Sequence, residues 1–295
     1  MARKEDDATV DAQARRQIRE TADLLLRKAG AYGRFPTPVP DLVAAAELNI
    51  EMDVSLNSGF LQRLYAELGE TVKRALDKVL GVLDRRGRFI YLDHAVHEKK
   101  RVFLSLHEIA HDFLPWQRDL WAFLEESEHT IDPDMREQFE REANVFASDV
   151  LFQLDAFRDE AADLPMGFDT VLKLSRRYGS SFYAAARRYA ASLGQPCALV
   201  VFNQPHPPSA KCLTVRRTIL SEAFRRRFGE DYWADSYGPE SVFTINRPEP
   251  GNAGFRPIPI RLRNLREETE EMRLEAFDSG FQIHYLVYPP QGSMK

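Results

Sequence analysis

The N-terminal half of the chain is patterned for helices. Apolar residues recur three or four positions apart, so that each stretch presents one buried stripe. Residues 101–114 contain no Gly or Pro, and Pro115 ends the helix that they predict. Asp132-Pro133 is typical of an N-cap followed by proline, which predicts another helix from there to about Leu154. Further helices are predicted over residues 11–29, 60–80, 169–177 and 180–189, with a disordered lead-in over 1–10.

Alternating and continuous apolar runs predict strands between and after these helices. Val82–Asp84 and Arg88–Asp93 flank Arg85-Arg86-Gly87, which predicts a hairpin. The chain from about residue 196 is predicted to be a separate mixed α/β piece with one helix from about Ser221 to Phe228. Its predicted strands are Cys197–Phe202, Cys212–Val215, Val242–Ile245, Ile258–Leu262 and Gln282–Val287.

Composition adds that this is an ordinary globular chain. Its 295 residues, 44% apolar and 29% charged, suffice for two domains. No apolar run approaches the roughly 18 residues of a membrane span, and no apolar segment follows the charged N-terminus as in a signal peptide. Cys197 and Cys212 are too few for a disulfide framework. We therefore expect a cytoplasmic protein without a membrane partner.

Residues 107–111, His-Glu-Ile-Ala-His, match the H-E-x-x-H pattern of zinc sites on the predicted helix 101–114. Because His107 and His111 are four residues apart, their imidazoles point the same way and can share one ion. Glu108 is rotated by about 100° and can reach a metal-bound water without being a ligand. The alternative is a pair of ordinary histidines on a partly buried helix.

A third ligand is expected on the helix that follows residue 132. Glu142 belongs to the apolar stripe of that helix, whereas Glu140 falls about 100° away from it. A lone buried carboxylate is costly unless it has a partner, and a metal ion is one such partner. We therefore predict Glu142 as the third ligand, with Asp149 as the second candidate. The alternative is a buried Glu142 paired with an arginine such as Arg101.

The two motifs together resemble those of the ImmA/IrrE family of metallo-endopeptidases. That family carries H-E-x-x-H on one helix and E-A-[DN]-x-F-A on a later one, and Glu142–Ala147 matches the second motif. Residues 39–51 fit the family's short N-terminal helix and following strand, and Arg88–Asp93 fits the strand before the metal helix. The resemblance covers roughly residues 15–165, and Val150–Gln153 departs from the family's Leu-Leu-Met-Pro-like ending.

The resemblance implies an α+β protein in three parts. These are a zincin-like metallopeptidase domain over residues 1–165, a short helix-turn-helix-like segment over 166–194, and a small C-terminal α/β, sensor-like regulatory domain over 195–295. It also implies a zinc-dependent, site-specific endopeptidase that cleaves a helix-turn-helix repressor of the Xre type and relieves repression under stress such as DNA damage. The alternative is a zincin-fold regulator that controls a transcription factor by binding, without proteolysis.

On this interpretation the two histidines and Glu142 hold Zn²⁺, or Mn²⁺ or Fe²⁺, with one position open for water. Glu108 takes a proton from that water and passes it to the leaving amine. Asn144 or Asp112 would orient a metal-binding imidazole. The developing oxyanion needs a further donor. The sequence does not choose among the candidates Tyr91, His94, His97, His129 and Tyr178.

Three features leave alternatives open. Residues 112–133 are predicted to be irregular, either a solvated connection with its tryptophans packed inward or an acidic lid that favours basic peptides. The strand at 88–93 either adds an extended substrate as a further β-strand or is internal to its sheet. Residues 1–166 carry a net charge of −10 and residues 167–295 one of +5, which indicates nucleic-acid binding or an acidic partner only weakly, because solvated arginines on a folded domain are the better explanation.

Overall fold

The computed structural model describes residues 10–54, 81–93, 96–127, 132–205, 212–249 and 256–290. The predicted helix at 60–80, most of the predicted lead-in, His94 and His129 lie outside the described residues. Helices and strands occur in both halves of the chain, which confirms the α+β class. Among the helices that are described, none is both long enough and apolar enough to cross a membrane.

The chain divides into two compact units, and the first falls within Asp7–Asp155 and Arg176–Ser181. Its helices are α1 (Ala12–Lys28), α2 (Val39–Ala45), α3 (Glu98–Phe113), α4 (Pro115–Ser127) and α5 (Pro133–Leu151). Its strands are β1 (Asn49–Val54), β2 (Gly81–Asp84) and β3 (Phe89–Asp93).

The helices of the first unit begin where polar caps allow them to. The Asp11 carboxylate accepts hydrogen bonds from Gln13 N (2.8 Å) and Ala14 N (2.9 Å) at the start of α1. Asp132 accepts one from Asp134 N (2.9 Å) at the start of α5, which confirms the predicted N-cap before proline. The predicted helix over 101–114 is confirmed as α3.

Residues 115–127 form α4, so the prediction of an irregular connection there was wrong. Pro115 ends one helix and begins the next, because proline lacks the N–H that the first turn of a helix leaves unpaired in any case. Trp116 and Leu120, four residues apart, pack together with Trp121 against Phe139 of α5. This apolar contact stabilises α4 as a helix.

The first sheet has the strand order β1-β3-β2, with β3 parallel to β1 and antiparallel to β2. The pairing of Asp84 with Phe89 across a short turn confirms the predicted hairpin. Because β3 is paired on both sides, it is internal to the sheet. It therefore has no free edge along which an extended substrate could add.

The second unit falls within Ala156–Ser175 and Phe182–Lys295. Its strands form one antiparallel sheet in the order β6-β5-β4-β9-β8-β7. The strands are β4 (Ala198–Asn203), β5 (Leu213–Leu220), β6 (Ser236–Tyr237), β7 (Ile258–Arg263), β8 (Thr269–Asp278) and β9 (Gln282–Tyr288). The helices of this half of the chain are α6 (Ala156–Ala162), α7 (Phe168–Tyr178), α8 (Phe182–Ser192), α9 (Glu222–Phe228) and α10 (Val242–Ile245).

Two elements of this sheet unit differ from expectation. Val242–Ile245 is a short helix instead of a strand, because the Ser241 hydroxyl caps its first turn by accepting from Thr244 N (3.1 Å). Its Phe243 side chain enters the core beneath the sheet, beside Phe202. The ten-residue strand β8 was not predicted at all.

The arginine run of α9 is paired with acidic side chains. Arg225 lies 3.8 Å from Glu230, Arg226 lies 3.6 Å from Glu222, and Arg227 lies 2.7 Å from Glu270. Nucleic-acid binding by this half of the chain stays a prediction.

Candidate metal centre

Helix α3 presents both histidines of the H-E-x-x-H motif on one face. His107 and His111 are buried, and their Nε2 atoms lie 3.2 Å apart. Glu140 of α5 completes a cluster with them, since its carboxylate oxygens lie 3.1 Å from His107 Nε2 and 3.5 Å from His111 Nε2. Among the described histidine, cysteine and acidic side chains, this is the group whose spacing suits a metal ion.

The structure does not bring Glu142 into this group. Glu142 is only 1% exposed, and its carboxylate accepts hydrogen bonds from Trp116, Gln117 and Gln138. Asp149, the second candidate, pairs with Arg15 at 3.1 Å. The correction from Glu142 to Glu140 has a geometric cause. Side chains two residues apart on a helix point about 200° apart, so Glu140 and Glu142 lie on nearly opposite sides of α5. We therefore take Glu140 as the candidate third ligand.

The donor set fits a divalent metal. Two imidazole nitrogens and one carboxylate oxygen form the His2Glu set of catalytic zinc sites, and manganese or iron also accepts it. The remaining ring nitrogens are turned away towards amide oxygens. His107 Nδ1 lies 3.2 Å from Asn144 Oδ1, and His111 Nδ1 lies 2.8 Å from Gln117 Oε1. Both Nε2 atoms are thereby left for the ion.

Of the two residues that the sequence suggested for orienting an imidazole, only Asn144 contacts one. Asp112 instead accepts two hydrogen bonds from Arg88 Nη1, both 2.8 Å long. The same guanidinium donates to Ala46 O (2.8 Å) and Glu47 O (3.1 Å) at the end of α2. Arg88 thus joins the hairpin, α2 and the C-terminal end of the metal helix.

The charges of the cluster perturb one another. Burial raises the pKa of Glu108 to about 7, although the positive charge of His107 opposes that rise. Burial also lowers the pKa of His111. For Glu140, burial is outweighed by the hydrogen bond with His107 and the charges of the two histidines, so that its pKa falls well below the usual range. Glu108 is the acid best suited to exchange protons near neutral pH.

Arg85 is a further residue at the centre, which the sequence analysis did not single out. Its Nη2 donates to His111 O at 3.3 Å, and its guanidinium lies 5.0 Å from the centre of the Trp121 ring. Its positive charge opposes the rise in the pKa of Glu108 and adds to the fall in the pKa of His111. The only sequence signal for it was the basic composition of the predicted hairpin turn.

Each of the described oxyanion candidates has a contact within the fold. His97 is the N-cap of α3 and accepts from Lys99 N at 3.3 Å. It lies ten residues before His107, or about 15 Å along the helix. Tyr178 is 1% exposed and packs its ring against Phe35. The ring of Tyr91 stacks on Phe89.

An apolar cavity of about 620 Å³ lies between α2, β1 and α3. Val39, Val43, Leu48, Ile50, Leu92 and Val102 are among its lining residues. His107, Glu108 and Glu140 are not among the described residues that line it.

The chain is similar to one protein family and to solved structures. Residues 68–189 match the model of a peptidase family, Peptidase_M78, described as the IrrE N-terminal-like domain. The match spans α3, α4 and α5. A solved structure of a Mycobacterium tuberculosis transcriptional regulator is similar over 92% of this chain and 86% of that chain, with a TM-score of 0.54 and 13% identity, which shows a shared fold. No protein in the curated set matches the chain.

Proposed function

We propose, from the match of residues 68–189 to the IrrE N-terminal-like domain, that the chain is a metal-dependent, site-specific endopeptidase. The zincin-like fold expected from the motifs accords with that domain. The observation that carries the proposal is the convergence of His107, His111 and Glu140 beside Glu108. A domain that only bound a partner would need neither the open ligand set nor a neighbouring acid.

His107, His111 and Glu140 would hold the ion, for which zinc is the first choice and manganese or iron the alternatives. When bound, the ion supplies a Lewis acid that polarises the scissile carbonyl and acidifies a water molecule. Asn144 and Gln117 keep the two imidazoles turned towards that position, through contacts of 3.2 Å and 2.8 Å.

Glu108 is the proposed proton carrier. It follows the first histidine directly and is not one of the three clustered ligands. It would accept the proton of the attacking water and then donate it to the leaving amine. Each transfer requires the carboxylate, so the isosteric Glu108→Gln variant retains the shape of the site and loses the reaction.

We further propose that the substrate is a helix-turn-helix repressor of the Xre type, whose cleavage relieves repression in a stress or DNA-damage response. Support comes from the resemblance of the two motifs to the ImmA/IrrE family. The name of the structural neighbour, a transcriptional regulator, points in the same direction.

The test is cleavage of candidate repressors by the zinc-loaded or manganese-loaded protein, with fragments identified by mass. Wild type and Glu108→Gln are compared, and Glu137→Gln serves as the matched control because Glu137 is an exposed acid of α5. We expect one discrete cut by wild type and by the control, and none by Glu108→Gln. A repressor bound tightly by all three proteins and cut by none would establish the alternative, a zincin-fold regulator that acts by binding.

A further inference from the structure

Glu142 is a buried carboxylate whose oxygens are both occupied by protein donors. Oε2 accepts from Trp116 Nε1 at 2.7 Å and from Gln117 Nε2 at 2.8 Å. Oε1 accepts from Gln138 Nε2 at 2.9 Å. Three N–H groups offset the cost of burying this charge. The carboxylate therefore serves as a fixed acceptor inside the protein.

The side-chain amide of Gln117 has only one satisfied orientation. Its Nε2 faces Glu142 Oε2 at 2.8 Å and Phe139 O at 3.2 Å, and both of these atoms can only accept. A flipped amide would set its own oxygen against these two acceptors. Gln117 is fully buried, so water cannot relieve that repulsion. Its Oε1 is consequently held towards His111 Nδ1 at 2.8 Å.

An amide oxygen beside Nδ1 selects one form of the imidazole. Because Gln117 Oε1 can only accept, His111 Nδ1 must carry the hydrogen. The lone pair of the neutral ring then sits on Nε2, which lies 3.2 Å from His107 Nε2 and 3.5 Å from Glu140 Oε1. Nε2 is the atom that the metal cluster requires.

We propose that Glu142 is a positioning residue which acts through Gln117 to hold His111 as the Nδ1–H tautomer, with Nε2 directed at the metal. The inference rests on the proposed metal site and adds a role for the acid of the Glu-Ala-Asn motif. Removal of such outer partners typically weakens metal binding by roughly 10- to 100-fold.

The proposed role requires a side chain at position 142 that accepts hydrogen bonds, whereas a residue that only fills space need not accept any. In Glu142→Gln, one end of the new amide is a donor that must face Trp116 and Gln117 or Gln138, all of which donate. The hold on the Gln117 amide is lost when that donor faces Trp116 and Gln117 but kept when it faces Gln138. Glu142→Met, which offers no acceptor to any of the three, is therefore the variant to test. Gln117→Leu removes the oxygen that accepts from His111 and puts an apolar side chain of similar size in its place.

The first measurement is the tautomer of His111 in the metal-free protein at neutral pH. Long-range proton–nitrogen NMR spectra distinguish Nδ1–H from Nε2–H, and His111→Gln assigns the signals. We expect the Nδ1–H form in wild type and a mixture in Glu142→Met and Gln117→Leu. Gln138→Ala is the matched control, because exposed Gln138 contacts the same carboxylate without touching Gln117. It should keep the wild-type tautomer.

The second measurement is zinc affinity by competition with a chelator. Glu142→Met and Gln117→Leu should bind zinc about 10- to 100-fold more weakly than wild type, and Gln138→Ala within about 3-fold of it. A wild-type His111 in the Nε2–H form, or a folded Glu142→Met or Gln117→Leu variant with unchanged tautomer and affinity, would overturn the inference. Circular dichroism checks that each variant is folded. If Glu142→Met does not fold, Gln117→Leu tests the link between Glu142 and His111.

These readouts separate the inference from the proposed peptidase activity. A single Nδ1–H tautomer with tight zinc binding, in a protein that cuts no repressor, would support the positioning role and refute the endopeptidase. Wild-type protein that binds no zinc would refute both.

Discussion

Replacement of Arg88 by methionine tests whether this one side chain holds α3 to the β2–β3 hairpin. Arg88 Nη1 donates to both oxygens of Asp112, which is 5% exposed, immediately after His111. Methionine keeps the apolar stem of the side chain. Arg88 has a φ of 62°, and methionine, which also carries a Cβ, faces the same backbone strain there. What it removes is the positive charge and the hydrogen bonds to Asp112, Ala46 and Glu47.

The expected cost follows from the burial of the two partners. Breaking a buried ion pair from one side costs about 3–5 kcal/mol, because the remaining charge is left uncompensated. The Arg88 side chain is 37% exposed, so water screens part of the interaction and the lower end, about 3 kcal/mol, is expected. Asp112→Asn in the Arg88→Met background removes the stranded charge and should restore about 2 kcal/mol.

The assay is urea unfolding followed by tryptophan fluorescence in a Trp233→Phe background. The chain has three tryptophans, and Trp233 lies in the core of the second unit. Its removal leaves Trp116 and Trp121 of α4 to report on the first unit alone. Arg88→Met with a loss under about 1 kcal/mol, or a double variant whose loss is the sum of the single ones, would refute the reasoning.

Three further predictions concern the ligand, the hairpin and the second unit. Glu140→Gln should weaken zinc binding by about 100-fold or more, beyond the effect of an outer partner, and Glu137→Gln one turn earlier should leave chelator competition unchanged. Arg85→Met should lower the free energy of unfolding of the first unit by about 1–2 kcal/mol through loss of the contacts with His111 O and Trp121, whereas exposed Arg86→Met should not. Burial lowers the pKa of His284 to about 4 against the opposing charge of Asp278, so its stability contribution is complete above pH 6.5 and is lost as the pH falls towards 4. Between pH 7 and pH 4, wild type should lose up to about 3 kcal/mol of unfolding free energy through His284, and His284→Leu should not show this loss. The measurement is the urea unfolding midpoint of both proteins across that pH range.

Local signals predicted the elements that carry the chemistry. The i, i+4 histidines, the stop at Pro115 and the Asp132-Pro133 start depend on residues close in sequence, and α3 and α5 formed as those signals indicated. The hairpin turn at 85–87 is equally local. Such elements need no knowledge of the tertiary structure, because caps and turns satisfy the backbone within a few residues.

The missed elements depend on packing partners that are distant in sequence. The apolar face of α4 includes Trp116 and Leu120, and both pack against Phe139, which lies on α5. Strand β8 alternates charged residues such as Glu271 with buried ones such as Met272 and Leu274. Its high charge concealed a strand that becomes evident only between β7 and β9. The run 242–245 was too short for periodicity to distinguish helix from strand.

The choice between Glu140 and Glu142 shows why burial was the wrong criterion for a ligand. A carboxylate that binds an ion must open onto the space the ion occupies, and the Glu140 side chain is 53% exposed beside the histidines. A carboxylate that orients a neighbour must be satisfied permanently by protein donors, and Glu142 is 1% exposed with three of them. The cost of burying a charge therefore predicts that a partner exists without saying whether it is a metal or an N–H group. Here the spacing was the better guide, because Glu140 and Asn144, four residues apart on one face of α5, both contact His107.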